Sequence, residues 1–103
     1  MKQHRYRITV EHLADANGAP GTQAPLVFEA GNHDEILAIA ERIRSRGLFD
    51  EGTSAAFAIG LKLFGEVMLE HRGHPLFDEL MPAFRDFMKK LKSPDAARPA
   101  NDA

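Results

Sequence analysis

Polar and apolar residues alternate from Arg5 to Leu13, with Tyr6, Ile8 and Val10 on one side and Arg5, Arg7, Thr9 and Glu11 on the other. That period of two predicts a half-buried strand over about 5–13. Ala14 to Pro25 collects Asp15, Asn17, Gly18, Pro20 and Gly21, which is turn chemistry, with Asn17-Gly18 the best single turn. A returning antiparallel strand follows at about 26–30, with Leu26 and Phe28 expected to face inward. The pattern then changes to helical spacing. Ile36, Leu37, Ile39, Ala40 and Ile43 predict a helix over about 32–46, with Asn32 as its cap, Glu35 completing a capping box and Gly47 ending it.

A second helix is predicted over about 51–72, capped by Asp50 or Thr53. Phe57, Ile59, Leu61, Leu63, Phe64, Val67, Met68 and Leu69 cover most of its circumference, leaving a polar stripe through Lys62, Glu66 and Glu70. A helix apolar nearly all round is expected to be buried on several sides. Gly60 and Gly65 within it predict close approach by a neighbouring element, since glycine costs a helix about 1 kcal/mol against alanine. The last helix, about 75–92, carries Leu76, Leu80, Phe84, Phe87, Met88 and Leu91 on one face and is expected to kink or break at Pro82. Residues 93–103 hold two prolines, four alanines and no large apolar residue, and are expected to be a disordered tail.

The order strand, strand, then helices predicts an α+β class: a two-stranded antiparallel hairpin packed against three main helices, in one domain over 1–92. A two-stranded sheet is marginal alone and both its strands are edges. With the apolar second helix, this makes a homodimer and a self-covering monomer balanced alternatives.

Composition narrows the function classes. The chain has 103 residues, 44% of them hydrophobic, and no cysteine, which removes disulfides, thiolate catalysis and cysteine-ligated zinc. A formal charge of −2 gives no global attraction for nucleic acid or anionic lipid. The apolar stretch Ala55–Leu69, interrupted by Lys62 and Glu66, reads as too short and too charged to span a bilayer. The expectation is a soluble cytoplasmic protein with no membrane partner.

Five histidines raise the question of a metal. His71 and His74 stand three apart with Glu66 and Glu70 just upstream, a set that offers two imidazoles and a carboxylate. The spacing differs from the helical zinc motif, which puts two histidines four apart, and Gly73 interrupts the helix between them. The simpler reading is favoured: His71 and Arg72 answer the helix dipole, and His74 caps the next helix. His4 and His12 are about 26 Å apart along a strand and share no ligand. Glu66 and Glu70 with Lys62 read as a solvated ion-pair stripe rather than an acid–base pair. Arg85, Lys89, Lys90 and Lys92 make a basic end on the last helix, which is routine at a helix C-terminus and weak as a nucleic-acid footprint. No catalytic set, phosphate loop or cofactor motif is present.

Several runs carry a resemblance: Asn32-His33-Asp34, Phe57 through Leu69, His74-Pro75-Leu76-Phe77 and Phe87 through Lys92. Together they resemble the bacterial family catalogued as domain of unknown function 3861, over nearly the whole chain to Lys92. The resemblance implies a bacterial source, a compact α+β fold and no assigned activity. The apolar second helix, the two strand edges and the lack of a catalytic set make a non-enzymatic interaction module that binds a protein partner or itself the leading expectation. A metal- or small-ligand-dependent enzyme using the His71–His74 turn stands second, and nucleic-acid binding through the basic end third.

Overall fold

A computed structural model, which describes residues 2–93, places the elements in the order β1 (His4–Val10), β2 (Leu26–Asn32), α1 (Ile36–Ser45), α2 (Glu51–Glu70), a 3₁₀ turn (Pro75–Phe77) and α3 (Leu80–Lys92). The class is α+β, a two-stranded antiparallel sheet with three helices. By internal contacts the chain divides into two units, Met1–Asp34 and Glu35–Ala103. Of the tail predicted over 93–103, all but Ser93 lies outside the described residues.

In the first unit the register pairs Tyr6 with Ala30, Ile8 with Phe28 and Val10 with Leu26. The alternation thus puts Tyr6, Ile8, Val10, Leu26 and Phe28 on one face, as predicted. β1 stops at Val10, short of Leu13, because the turn chemistry takes over early. Asp15 organises that loop: its carboxylate accepts from the amides of Asn17 and Ala19, both at 2.9 Å, and the Gly18 amide reaches the Asp15 carbonyl.

β2 continues past Ala30 to Asn32, which corrects the expected helix start. Asn32 caps no helix. Its side-chain oxygen accepts from the Asp34 amide at 3.0 Å, a local turn that closes the strand. Glu35 is itself the cap of α1, accepting from the Leu37 amide at 2.9 Å. Asn and Asp serve turns and caps by the same side-chain-to-backbone bond, so composition alone does not separate the two.

In the second unit α1 and α2 pack on one another. Ile36 and Ile43, seven apart on α1, are buried, as are Ser54, Ala58, Glu66 and Met68 on α2. Ser54 and Ala58 are small, which lets a neighbouring backbone come close, and the Ser54 hydroxyl is satisfied by the Phe49 carbonyl. Asp50 caps α2 by accepting from the Thr53 amide at 2.7 Å, and that bond lowers its pKa.

The expectation of an α2 buried on several sides is overturned. Phe64, Val67 and Leu69 are exposed, while Glu66 is buried and Lys62 half-buried, so the polar stripe is fully solvated only at Glu70. The glycines divide. A methyl group on Gly65 would touch the Phe84 ring at 3.6 Å, an ordinary contact, whereas one on Gly60 meets nothing within 4 Å. Gly60→Ala is accordingly expected to raise stability by about 0.5–1 kcal/mol, read as a higher urea midpoint, through helix propensity alone. A lower midpoint would show that a neighbour does close on this position. By length and composition α2 is long and apolar enough to cross a membrane. The helix as a whole, Glu51–Glu70, supplies the length that the apolar stretch Ala55–Leu69 lacks.

α3 begins at Leu80, so the break falls at Asp78–Glu79 rather than within a kinked helix. Pro82 then sits in the first turn, where an amide has no intrahelical partner to lose. Six of the seven phenylalanines form one ladder of ring contacts. Phe49 meets Phe57 at 5.3 Å, Phe57 meets Phe87 at 6.2 Å, and Phe87 meets Phe84 at 6.4 Å. Phe84 meets Phe64 and Phe64 meets Phe77, each at 6.1 Å. The pairs Phe57–Phe87 and Phe64–Phe84 show that α3 runs antiparallel to α2, bridged by long aromatic side chains. Arg46 secures the far end, donating to the carbonyls of Leu91 at 2.5 Å and Ser93 at 3.0 Å. A cation there also answers the dipole of α3.

Candidate functional site

The hairpin presents the surface that stands out. Its apolar face is covered at one end, where Tyr6, Ile8 and Ala30 are half-buried and Asn32 is buried. Coverage fails toward the other end, where Phe28 is 40% exposed, Val10 56% and Leu26 62%. The register makes these three neighbours, since Val10 lies opposite Leu26 and Phe28 two residues along. Val27 points to the other face and is 52% exposed, so β2 shows three consecutive apolar residues to solvent.

The two strands differ as edges. β1 carries Arg5 and Arg7, and charged side chains blunt an edge against pairing. The single charge on β2, Glu29, is already engaged from its own hairpin, by Arg5 at 2.6 Å and Arg7 at 3.8 Å. Such exposed ion pairs contribute little stability. Here they neutralise the only residue that would guard β2. Leu26 and Phe28, expected to face inward, are thus exposed, and Val27 on the other face is exposed with them. The signal was present in the run Leu26-Val27-Phe28, which breaks the alternation a one-sided sheet requires.

The predicted metal candidates lie on the last turns of α2 and on the turn that follows it. His71 is the exposed C-cap, donating its amide to the Val67 carbonyl, and Gly73 at φ +90° turns the chain. His74 Nδ1 accepts from the Leu76 amide at 3.1 Å, capping the 3₁₀ turn, with its ring 5.8 Å from that of Phe77. Glu66 is buried in α2 and Glu70 is exposed at its end. Among the described residues no three His, Asp or Glu side chains gather as a ligand set. On α1, Glu41 and Arg44 form an ion pair one turn apart, whose hydrogen bond lowers the pKa of Glu41 and raises that of Arg44. Arg85, Lys89, Lys90 and Lys92 are exposed on α3, the last three within its final turn.

Comparison with known proteins agrees with this picture of a fold without an assigned chemistry. A crystal structure of a protein of unknown function from Pectobacterium atrosepticum is similar to this chain, at 40% identity and a TM-score of 0.77. The match covers 88% of this chain and 98% of that one. No curated protein matches. The model of a domain of unknown function with a solved structure, DUF3861, matches residues 4–93, and the chain belongs to that family.

Proposed function

We propose that this chain is a non-enzymatic interaction module whose first partner is a second copy of itself. One observation carries the reading: the contiguous exposed patch of Val10, Leu26 and Phe28 on a sheet of only two strands. Isolated exposed apolar residues are ordinary, but a contiguous set marks a surface that binds. The patch also answers a stability problem. A two-stranded hairpin is marginal in water, and three or more strands with an apolar face are needed for independence. The reading takes residues 1–92 as one domain, because a unit of 34 residues without cysteine is too short for a core of its own.

A cytoplasmic location belongs to the same proposal. Lys62 lies in the middle third of the helix that, among the described residues, meets the length for a membrane span, with Glu66 one turn further on, and a lysine at a bilayer centre costs about 2.5–3.5 kcal/mol. Light scattering behind size exclusion, at two protein concentrations, tests the reading. The expected mass is twice the 11.4 kDa of the chain. A mass of one chain at both concentrations sinks self-association.

A further inference from the structure

We propose that two copies join through the outer edges of β2, antiparallel about a twofold axis at Phe28, to make one continuous four-stranded sheet. The inference rests on the self-association reading and supplies its geometry. Exposure chooses the strand and the stretch. Leu26, Val27, Phe28 and Glu29 are all exposed, whereas Ala30 and Gly31 are half-buried and Asn32 is buried. Centring the axis on Phe28 uses residues 26–30, the open end of the strand.

Side-chain pairing then chooses the register. With the axis at Phe28, Phe28 faces its copy, Leu26 faces Ala30 of the other copy, and Val27 faces Glu29. Combined with the hairpin register, the lateral rows read Ile8–Phe28–Phe28–Ile8 and Val10–Leu26–Ala30–Tyr6 across the four strands. The exposed end of each hairpin falls beside the covered end of the other. On the opposite face Glu29 keeps its own Arg5 and Arg7, and no like charges stand directly opposite one another.

The alternatives fail on the same grounds. An axis at Glu29 sets two carboxylates face to face, and one at Ala30 needs the buried Asn32 end. An axis at Val27 brings Pro25, which has no amide to donate, opposite Glu29. Self-pairing of β1 centred anywhere from Arg5 to Arg7 opposes arginine to arginine, and centring it on Ile8 or beyond avoids this but leaves the β2 edge at Leu26, Val27 and Phe28 unpaired. A twofold β2 edge is the remaining solution, and closed twofold pairs are the commonest assembly.

The chain has no cysteine, so introduced ones report without ambiguity. In this register the Phe28 Cα atoms stand about 4.5–5.5 Å apart, within disulfide reach. The two Leu26 positions lie about 14 Å apart along the strand and are out of reach. Under mild oxidation Phe28→Cys is expected to double in mass on a non-reducing gel, while Leu26→Cys alone stays single. Mixing Leu26→Cys chains with Ala30→Cys chains is expected to restore the covalent dimer, a route that leaves Phe28 untouched. Failure of both routes in a protein that light scattering shows to be dimeric overturns this register and leaves self-association standing. Cross-linking of Leu26→Cys alone does the same. A monomeric mass leaves the edge to an extended segment of another protein and overturns both.

Discussion

Replacing Met68 by alanine is expected to destabilise the chain by about 2–5 kcal/mol, the range for emptying a buried large apolar site. Met68 is 2% exposed, and among the described residues only Ile36, Ile43 and Ala58 join it as buried apolar side chains. A domain holds about 5–15 kcal/mol in all, so this one change removes a large share. Leu69, the next residue on α2, is 41% exposed and gives the control. Leu69→Ala removes a side chain of similar size, yet is expected to cost clearly less, because 41% of that residue is already in water and its loss leaves no closed cavity. Urea titration of both variants decides the matter, read from the midpoints at an unchanged slope. Equal losses would mean that the buried face of α2 is wrongly placed.

That face shows where reading a sequence runs out. The existence and type of each element were legible, because periods of 2 and 3.6 are written in the chain and Asp50, Gly47 and Pro75 punctuate it. The inward side of α2 was not. A helix apolar around most of its circumference carries little directional information, so packing partners decide. Here the small Ser54 and Ala58 are buried while Phe64 and Val67 are exposed, the reverse of a ranking by hydrophobicity. Close approach between helices selects small residues, and no hydropathy pattern records that requirement. The capping box at Asn32 failed for a related reason, since its amide-accepting side chain serves a strand end as well as a helix start.

The candidate surface was half legible. Alternation along β1 and β2 placed Tyr6, Ile8, Val10, Leu26 and Phe28 on one face, and the register agrees. What alternation does not state is how far along that face the cover extends. The gradient from buried Asn32 to open Leu26 is a tertiary fact. The loop from Ala14 to Pro25 is made of turn residues and is itself exposed at every position but Gly21. Arg46 was legible only as a basic residue near the end of α1. Its two bonds to the end of α3 join positions 45 and 47 residues apart, beyond any local pattern.

The aromatic ladder carries the second large effect. Phe57→Ala is expected to cost about 3 kcal/mol, the low end for phenylalanine because the ring is half-buried. Phe57→Leu keeps most of the apolar area and loses the ring geometry with Phe49 and Phe87, so about 1 kcal/mol is expected. A double-mutant cycle separates the contact from the area. Phe57→Leu with Phe87→Leu should depart from additivity by about 0.5–1.5 kcal/mol, the worth of one edge-to-face pair. Phe57→Leu with Phe77→Leu should add to within about 0.5 kcal/mol, because no ring contact joins those two directly. Additivity in both cycles would mean that the rings only fill space and that α2 and α3 are held by area and the Arg46 clasp. Coupling confined to the first pair would establish the ladder as a chain of neighbour contacts, each rung fixing the next.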